Sequence, residues 1–490
     1  MSSQIPDSWE KRFWIFFGVS LVLRLYLALS LDLTPDEAYY WELARHLDLS
    51  YFDHPPMVAF CISLSKSILG DIPLAVRLPA LIAFSVVLHN VFLIGKNLSG
   101  KSEVGFLGSL LIHASPVGVA LGFITTPDAP LALFWSWGIR AFTSCLARDG
   151  LSDWLFLGFC LGCGAMAKYN MIFFVPGVAA VILLFKEKRG LIVTPRFWGM
   201  VFLAFAGAFP VLYWNHTHDW ISLKFQFNHG FKSAGRGFWD NLGEFIGGQL
   251  GTIGLTLYPV LIWQGCVVLI RSWREGDEKR FILTCLSMPM ALFFIINGTK
   301  SKVEANWPQV AYLGLMPLAA EWILAGVDSR RLKWTLGPSA ILGAIAIFQA
   351  ITLLAPIPPG WDISTRLHGW IPMGERIKTL DAEKNRKPIY IGQGAPFTAL
   401  IGFYGKIDPE RLLEIHGTGN WKFWGAEKNL GPDSEVVYVD DNNNSEAIAY
   451  GRLFRERIGT ESFDISFNGR YIRTINLTKY RGYIGGLSFR

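Results

Sequence analysis

Two short stretches place a carboxylate where a helix should begin. Thr34-Pro35-Asp36-Glu37 has a capping Thr, a Pro suited to the first helical position and a Glu three residues after the cap. Thr126-Pro127-Asp128 repeats the first part of that pattern. A carboxylate in a first helical turn stabilises the helix dipole. The same carboxylate, held in a fixed direction, can take a proton as a general base. Cations stand at separate positions. Lys168 interrupts two apolar runs, and Lys300 and Lys302 follow another. Such residues can snorkel to an interface, or they can hold an anion.

The elements that carry these residues are dictated by hydropathy. The chain has 490 residues, 51% hydrophobic and 17% charged, against roughly 25% charged in soluble domains. Eighteen basic and sixteen acidic residues fall within 358–490, so a membrane part is followed by a part of ordinary polarity. About 20 apolar residues cross a bilayer. Spans are expected near 12–31, 73–95, 104–123, 129–146, 153–167, 170–185, 197–214, 243–270, 281–296, 308–326 and 335–355. The expected fold is therefore an α-helical polytopic membrane protein with about 11 transmembrane helices. The first span reads as a retained signal anchor. Two amphipathic juxtamembrane helices, to about Leu47 and from Pro55-Pro56 to about Leu69, should lie on the membrane surface.

Alternate loops are basic: Lys11 and Arg12; Lys96 and Lys101; Arg148; Lys186 to Arg196; Arg271 to Arg280; Arg330 to Lys333. The positive-inside rule puts these loops and the amino terminus in the cytoplasm. The loops holding Asp36, Asp128, Lys168, Lys300 and Lys302 then face out, with everything after about residue 356. Two acidic helix starts on one membrane face favour a shared site. Trp41, Trp214, Trp220, Trp239 and Trp307 read first as an interfacial belt. In such a chain the position of positive charge matters more than its sum, and the net +6 gives no reason to expect nucleic acid.

The tail, 358–490, changes period. Pro388–Gly392, Val436–Asp440, Phe463–Phe467 and Tyr471–Leu477 read as strands, and 374–384, 396–404 and 444–458 as helical, making a C-terminal α/β extracytoplasmic domain after a 1–357 transmembrane domain. All six cysteines precede residue 300, so no disulfide framework is indicated in the tail. Cys160-x-x-Cys163, in an apolar run without other ligands, reads as packing.

With these motifs in view, the chain resembles the C-type glycosyltransferases of the protein-mannosyltransferase and aminoarabinose-transferase superfamily. The likeness rests on the Asp-Glu pair in a long first outer loop, Tyr51-Phe52-Asp53-His54-Pro55-Pro56, Thr125 to Pro130, and Ala167-Lys168-Tyr169. It extends to Trp214-Asn215 with His218-Asp219-Trp220, and to Glu304-Ala305-Asn306-Trp307-Pro308. The resemblance implies a polyprenyl-phosphate sugar donor, inversion at the anomeric carbon, and a lipid, glycan or protein acceptor at the outer face of the inner membrane. It maps the catalytic carboxylates onto Asp36 and Asp128, with Glu37 beside the first. The leaving group is a lipid phosphate, which needs cationic partners or a metal; His54, Arg77, Lys168, Lys300 and Lys302 are the candidates. His54 stands where the aminoarabinose branch has Lys. No cofactor is required by the sequence, and a divalent cation at Asp36 and Asp128 stays open, as does a weaker His216, His218, His229 and Asp219 set. Arg24, inside the first span, is expected to pair within the bundle. A lipid-linked glycan flippase and an oligosaccharide ligase or polymerase are the rival readings.

Overall fold

The computed structural model describes residues 7–231, 235, 237–383, 387–414, 420–425, 429–441 and 451–485. It divides into two compact units. One holds the chain to Tyr26, His54–Met57 and Pro79–Ala346; the other holds Leu27–Asp53, Val58–Leu78 and Ile347–Arg490.

The first unit is helical. Among the described residues, five helices are long and apolar enough to cross a membrane, and up to seven if each of two bent helix pairs is one span. The five-helix set includes Ser8–Ser30, Pro73–Ser99 and Pro195–Thr217. Ser8–Ser30 leaves Ile15, Val19 and Val22 exposed, and Pro195–Thr217 does the same with Phe202, Phe205 and Phe209. An apolar stripe of this kind on a long helix is a lipid-facing surface. Several expected spans are broken. The 104–123 span divides into Ser102–Ala114 and Pro116–Leu121, with Ser115 capping the second piece and Pro116 unable to continue the first. The 243–270 span becomes Phe238–Thr252 and Leu257–Glu275, which meet at 104°.

Small residues let helices approach closely. Leu151–Ala167 crosses Pro195–Thr217 where Gly162 meets Gly207; a Cβ on Gly207 would lie 2.6 Å from the Gly162 Cα. Arg24 is buried, as expected, and bonds within the bundle to the Leu81 carbonyl and the Ser20 and Ser85 hydroxyls.

The second unit centres on a five-stranded sheet of β1 (Ile389–Gly392), β2 (Leu412–Glu414), β3 (Glu435–Asp441), β4 (Phe454–Phe467) and β5 (Arg470–Tyr483), in the order β2-β1-β3-β5-β4. β1 pairs parallel with β2 and β3, and β5 pairs antiparallel with β3 and β4. Asn468 and Gly469, both at positive φ, turn the β4–β5 hairpin. The reading of 444–458 as helical is corrected from 454 onward; residues 442–450 lie outside the described set. Arg455, Glu456 and Arg457 suit a helix by propensity. Here they lie on an edge strand held by β5, where charge blunts further pairing. β2 is a strand the sequence reading missed.

The Pro35–Leu43 helix belongs to this unit and corrects the surface-helix expectation. It stops at Leu43, and Glu37 to Leu43 are all buried; Leu47 is exposed and beyond it. The helix packs on Ala395–Gly405, with the Trp41 ring edge-on to Phe403 at 5.0 Å. Gly402 leaves the room required, since a Cβ there would sit 2.6 Å from Leu412 Cδ1. The Leu33 amide donates to the Tyr404 hydroxyl at 2.6 Å, and the Trp370 amide to the Asp32 carboxylate at 2.9 Å. Burial raises the Asp32 carboxyl above its usual range.

Candidate active-site clusters

In the second unit, the helix start at Thr34 forms as its sequence specifies. Thr34 Oγ1 accepts from the Glu37 amide, and Glu37 Oε2 accepts from the Thr34 amide at 2.9 Å. Glu37 has a second task. Arg77 donates from Nε to Glu37 Oε1 and from Nη2 to Oε2, each at 3.0 Å. Its other N–H groups reach the carbonyls of Ala28, Leu31 and Asp32. Both side chains are fully buried. Arg77 therefore ties the end of the first helix to the start of the next, and the carboxylate beside this knot is Asp36. Asp36 is about half exposed and accepts from Arg366 Nη2 at 2.9 Å. No motif marks Arg366, and sequence reasoning missed it.

In the first unit, Asp128 opens the Asp128–Arg148 helix and is only 2% exposed. Its Oδ1 accepts from Lys168 Nζ at 2.7 Å, and its Oδ2 from Asn306 Nδ2 at 2.8 Å. Lys168 sits in extended backbone at the end of the Leu151–Ala167 helix. Asn170 donates to the Trp307 carbonyl at 3.1 Å. The Tyr169 hydroxyl lies 2.7 Å from Ser222 Oγ and within 3.4 Å of Asn215 Nδ2. Two remote segments, Ala167–Tyr169 and Glu304–Pro308, thus meet the carboxylate carried by Thr125–Pro130, and Asn215 joins the group through Tyr169. Asn306, though within a quoted motif, was not among the expected site residues.

The remaining candidates are more dispersed. His54 is part-buried in an irregular segment of the first unit. Lys300 is exposed, and Lys302 pairs with Glu304 at 2.9 Å. The His218 ring stacks on Trp214 at 4.0 Å, and His229 stacks on Phe225 at 5.6 Å. Asp219 and Trp220 turn the chain through two successive left-handed conformations, φ 53 and 59, a strained arrangement of the sort kept at functional positions. Among the described residues no three His, Cys, Asp or Glu gather as a metal-holding group; Asp36 and Asp128 each meet a protein cation instead. The aromatic belt needs correction too. Trp41 and Trp214 are buried at 3% exposure, whereas Trp220 and Trp239 are exposed. Trp41 uses its indole N–H on Asp71 at 2.7 Å.

Residues 53–214 match the model of the dolichyl-phosphate-mannose-protein mannosyltransferase family. The chain is 28% identical, over 66% of its length, to lipid A galacturonosyltransferase RgtD of Rhizobium johnstonii. It is 24% identical, again over 66% of its length, to an undecaprenyl phosphate-α-4-amino-4-deoxy-L-arabinose arabinosyl transferase of Proteus mirabilis. These matches span 66% and 60% of the two relatives' own lengths. The fold superposes on ArnT of Cupriavidus metallidurans in the apo state with a TM-score of 0.63 at 15% identity, covering 95% of this chain and 98% of that one. The same protein bound to undecaprenyl phosphate gives 0.60 at 13% identity, with the same coverage. The resemblance drawn from the motifs is thus met in sequence by similarity to a lipid A galacturonosyltransferase and to aminoarabinose transferases, and in architecture the chain has the fold of ArnT.

Proposed function

We propose that the protein transfers a sugar from a polyprenyl-phosphate donor to a hydroxyl acceptor at the outer face of the inner membrane, with inversion. The observation that carries this reading is the buried Asp128 carboxylate, bonded by Lys168 and Asn306 from two remote motif segments, with Asn215 of a third bonded to the neighbouring Tyr169. A structural salt bridge alone would not need a further amide on the same carboxylate. The name of the Rhizobium relative favours lipid A as acceptor, and the names of the two relatives give galacturonate or 4-amino-4-deoxyarabinose as the sugar to try first.

In the reaction, the acceptor hydroxyl attacks the anomeric carbon, its proton passes to a carboxylate, and the polyprenyl phosphate departs as an anion. Asp36 is assigned as the base, since it is the accessible carboxylate and its direction is fixed by the Thr34 cap and the Glu37–Arg77 knot. Asp128 and Lys168 act as a pair, the lysine supplying positive charge to the donor phosphate. His54, Lys300 and Lys302 are the further cations for that phosphate. Glu37 and Arg77, occupied with each other, position Asp36. A divalent ion, if one binds, would share the phosphate charge and would have to compete with Lys168 or Arg366 for these carboxylates.

The topology proposed with this function has eleven crossings, the amino terminus in the cytoplasm and residues 358–490 outside, in the unit that also holds Leu27–Asp53 and Val58–Leu78. Beyond the five long helices, this topology assigns the remaining six crossings to the two bent pairs, to Asp128–Arg148, and to Ser102–Ala114, Leu151–Ala167 and Gln309–Leu324. The test of function is direct. Purified protein in vesicles, given a polyprenyl-phosphate-linked sugar and lipid A, should release free polyprenyl phosphate and yield glycosylated lipid A. Movement of intact donor across the bilayer without release would instead identify a flippase.

A further inference from the structure

The Asp128–Arg148 helix carries the buried carboxylate at one end and a second feature near the other. Arg140 lies about 18 Å along the helix from Asp128, and Arg148 about 30 Å, at 1.5 Å per residue. Arg140 is part-buried in an apolar bundle, an expensive place for a charge without a counter-ion. Nη1 donates to Asn90 Oδ1 at 2.8 Å, a neutral acceptor. Around it opens a cavity of about 320 Å³ lined in part by Arg140, Arg148, Lys279, Thr143, Ser144 and Asn97. Among the described residues the lining includes three cations and no carboxylate; Arg148 is paired with Asp153 beside the cavity, and the Thr143 hydroxyl donates to the Ile139 carbonyl, which leaves Arg140, Lys279 and the Ser144 hydroxyl to meet an anion. Lys279 is held there by its bond to the Asn97 carbonyl at 2.9 Å. Ile94, Leu98 and Leu283 complete the wall with apolar surface.

Positive charge, the Ser144 hydroxyl and an adjoining apolar wall fit one class of ligand. We propose that this cavity is a second anion site, which holds the phosphate of an acidic phospholipid headgroup, with the acyl chains against the apolar wall. The lining residues come from the ends of helices that adjoin the basic loops at Lys96 and Lys101, at Arg148 and at Arg271 to Arg280. Basic pockets between spans on that face are where acidic headgroups are attracted. The site lies at the other end of the helix from Asp128, and so apart from the proposed chemistry.

Native mass spectrometry of the purified full chain tests this, with phosphatidylglycerol and phosphatidylcholine as probes. Phosphatidylglycerol should be retained and phosphatidylcholine should not. Arg140→Gln, which can still bond Asn90, and Lys279→Gln should each weaken retention roughly tenfold, as loss of one charge-assisted contact implies. Arg140→Lys should restore most of it. If Arg140→Gln fails to fold, the exposed Lys279 carries the same comparison. Equal retention of both lipids, or phosphatidylglycerol binding unchanged in the Gln variants, would overturn the proposal. Complete displacement by millimolar inorganic phosphate would overturn the lipid as source and assign the site to the free ion.

Discussion

Asp36 and Asp128 are both carboxylates at a helix start, yet their surroundings differ. Asp36 is half exposed beside Arg366, and Asp128 is buried between Lys168 and Asn306. Replacing Asp36 by Asn keeps the size and the helix start but removes basicity. Turnover should fall by about 10²–10⁴-fold, the usual loss with a general base. If Asp36 only supported its helix, the cost would be about 0.3–1 kcal/mol of stability with turnover nearly intact. Steady-state turnover of Asp36→Asn and Asp128→Asn at matched folded levels decides; activity confined to Asp36→Asn would move the base to Asp128. Lys168→Ala should weaken donor use by about 1.5–3 kcal/mol, read as a rise in KM for the lipid donor. Arg77→Met should act differently. It takes the guanidinium from the buried Glu37 carboxylate, at a cost of about 3–5 kcal/mol, and should lower the melting temperature before it touches substrate affinity.

At the scale of elements, two features position the carboxylates. One is the crossing of Leu151–Ala167 with Pro195–Thr217, which sets the height of Lys168 on one helix and Asn215 on the other. With Gly162 and Gly207 in backbone contact, Gly207→Ala forces the helices apart. Overpacking of this kind costs about 1–3 kcal/mol, so the detergent-solubilised variant should melt earlier than the parent. Gly18→Ala, where nothing lies within 4 Å of the new methyl, should melt no earlier. The other feature is the short Pro35–Leu43 helix. Its burial against Ala395–Gly405 means that the direction of Asp36 is fixed by packing as well as by its cap.

For the whole molecule, the proposed orientation makes a prediction about access. Gly459 is exposed on the edge strand β4 and has open space around its Cβ. A cysteine there, in a background without the six native ones, should react with an impermeant reagent in intact spheroplasts. Labelling only after lysis would put residues 358–490 in the cytoplasm and withdraw the outer-face assignment of the chemistry.

Much of this protein was legible in its residues because local rules governed it. The Thr34 cap and Glu37 formed the capping box as spelled out. Five of the long apolar runs became long apolar helices, and four strand readings in the tail fell within or against observed strands. The motif segments named the residues that meet at Asp128, although not that they meet. What the sequence could not carry depends on partners distant in the chain. Arg455 to Arg457 became a strand because β5 lies beside them, against their own propensity. Trp41 and Trp214 left the expected belt because a neighbouring helix and a stacked ring cover them. Leu27–Asp53 and Val58–Leu78 fold with the C-terminal sheet, which gives Asp36 its partner Arg366 from 330 residues away. Residue type and spacing fix what a side chain is able to do and which helix it starts. Which charge answers it is decided by packing, because a bond between remote segments leaves no periodic trace in either one.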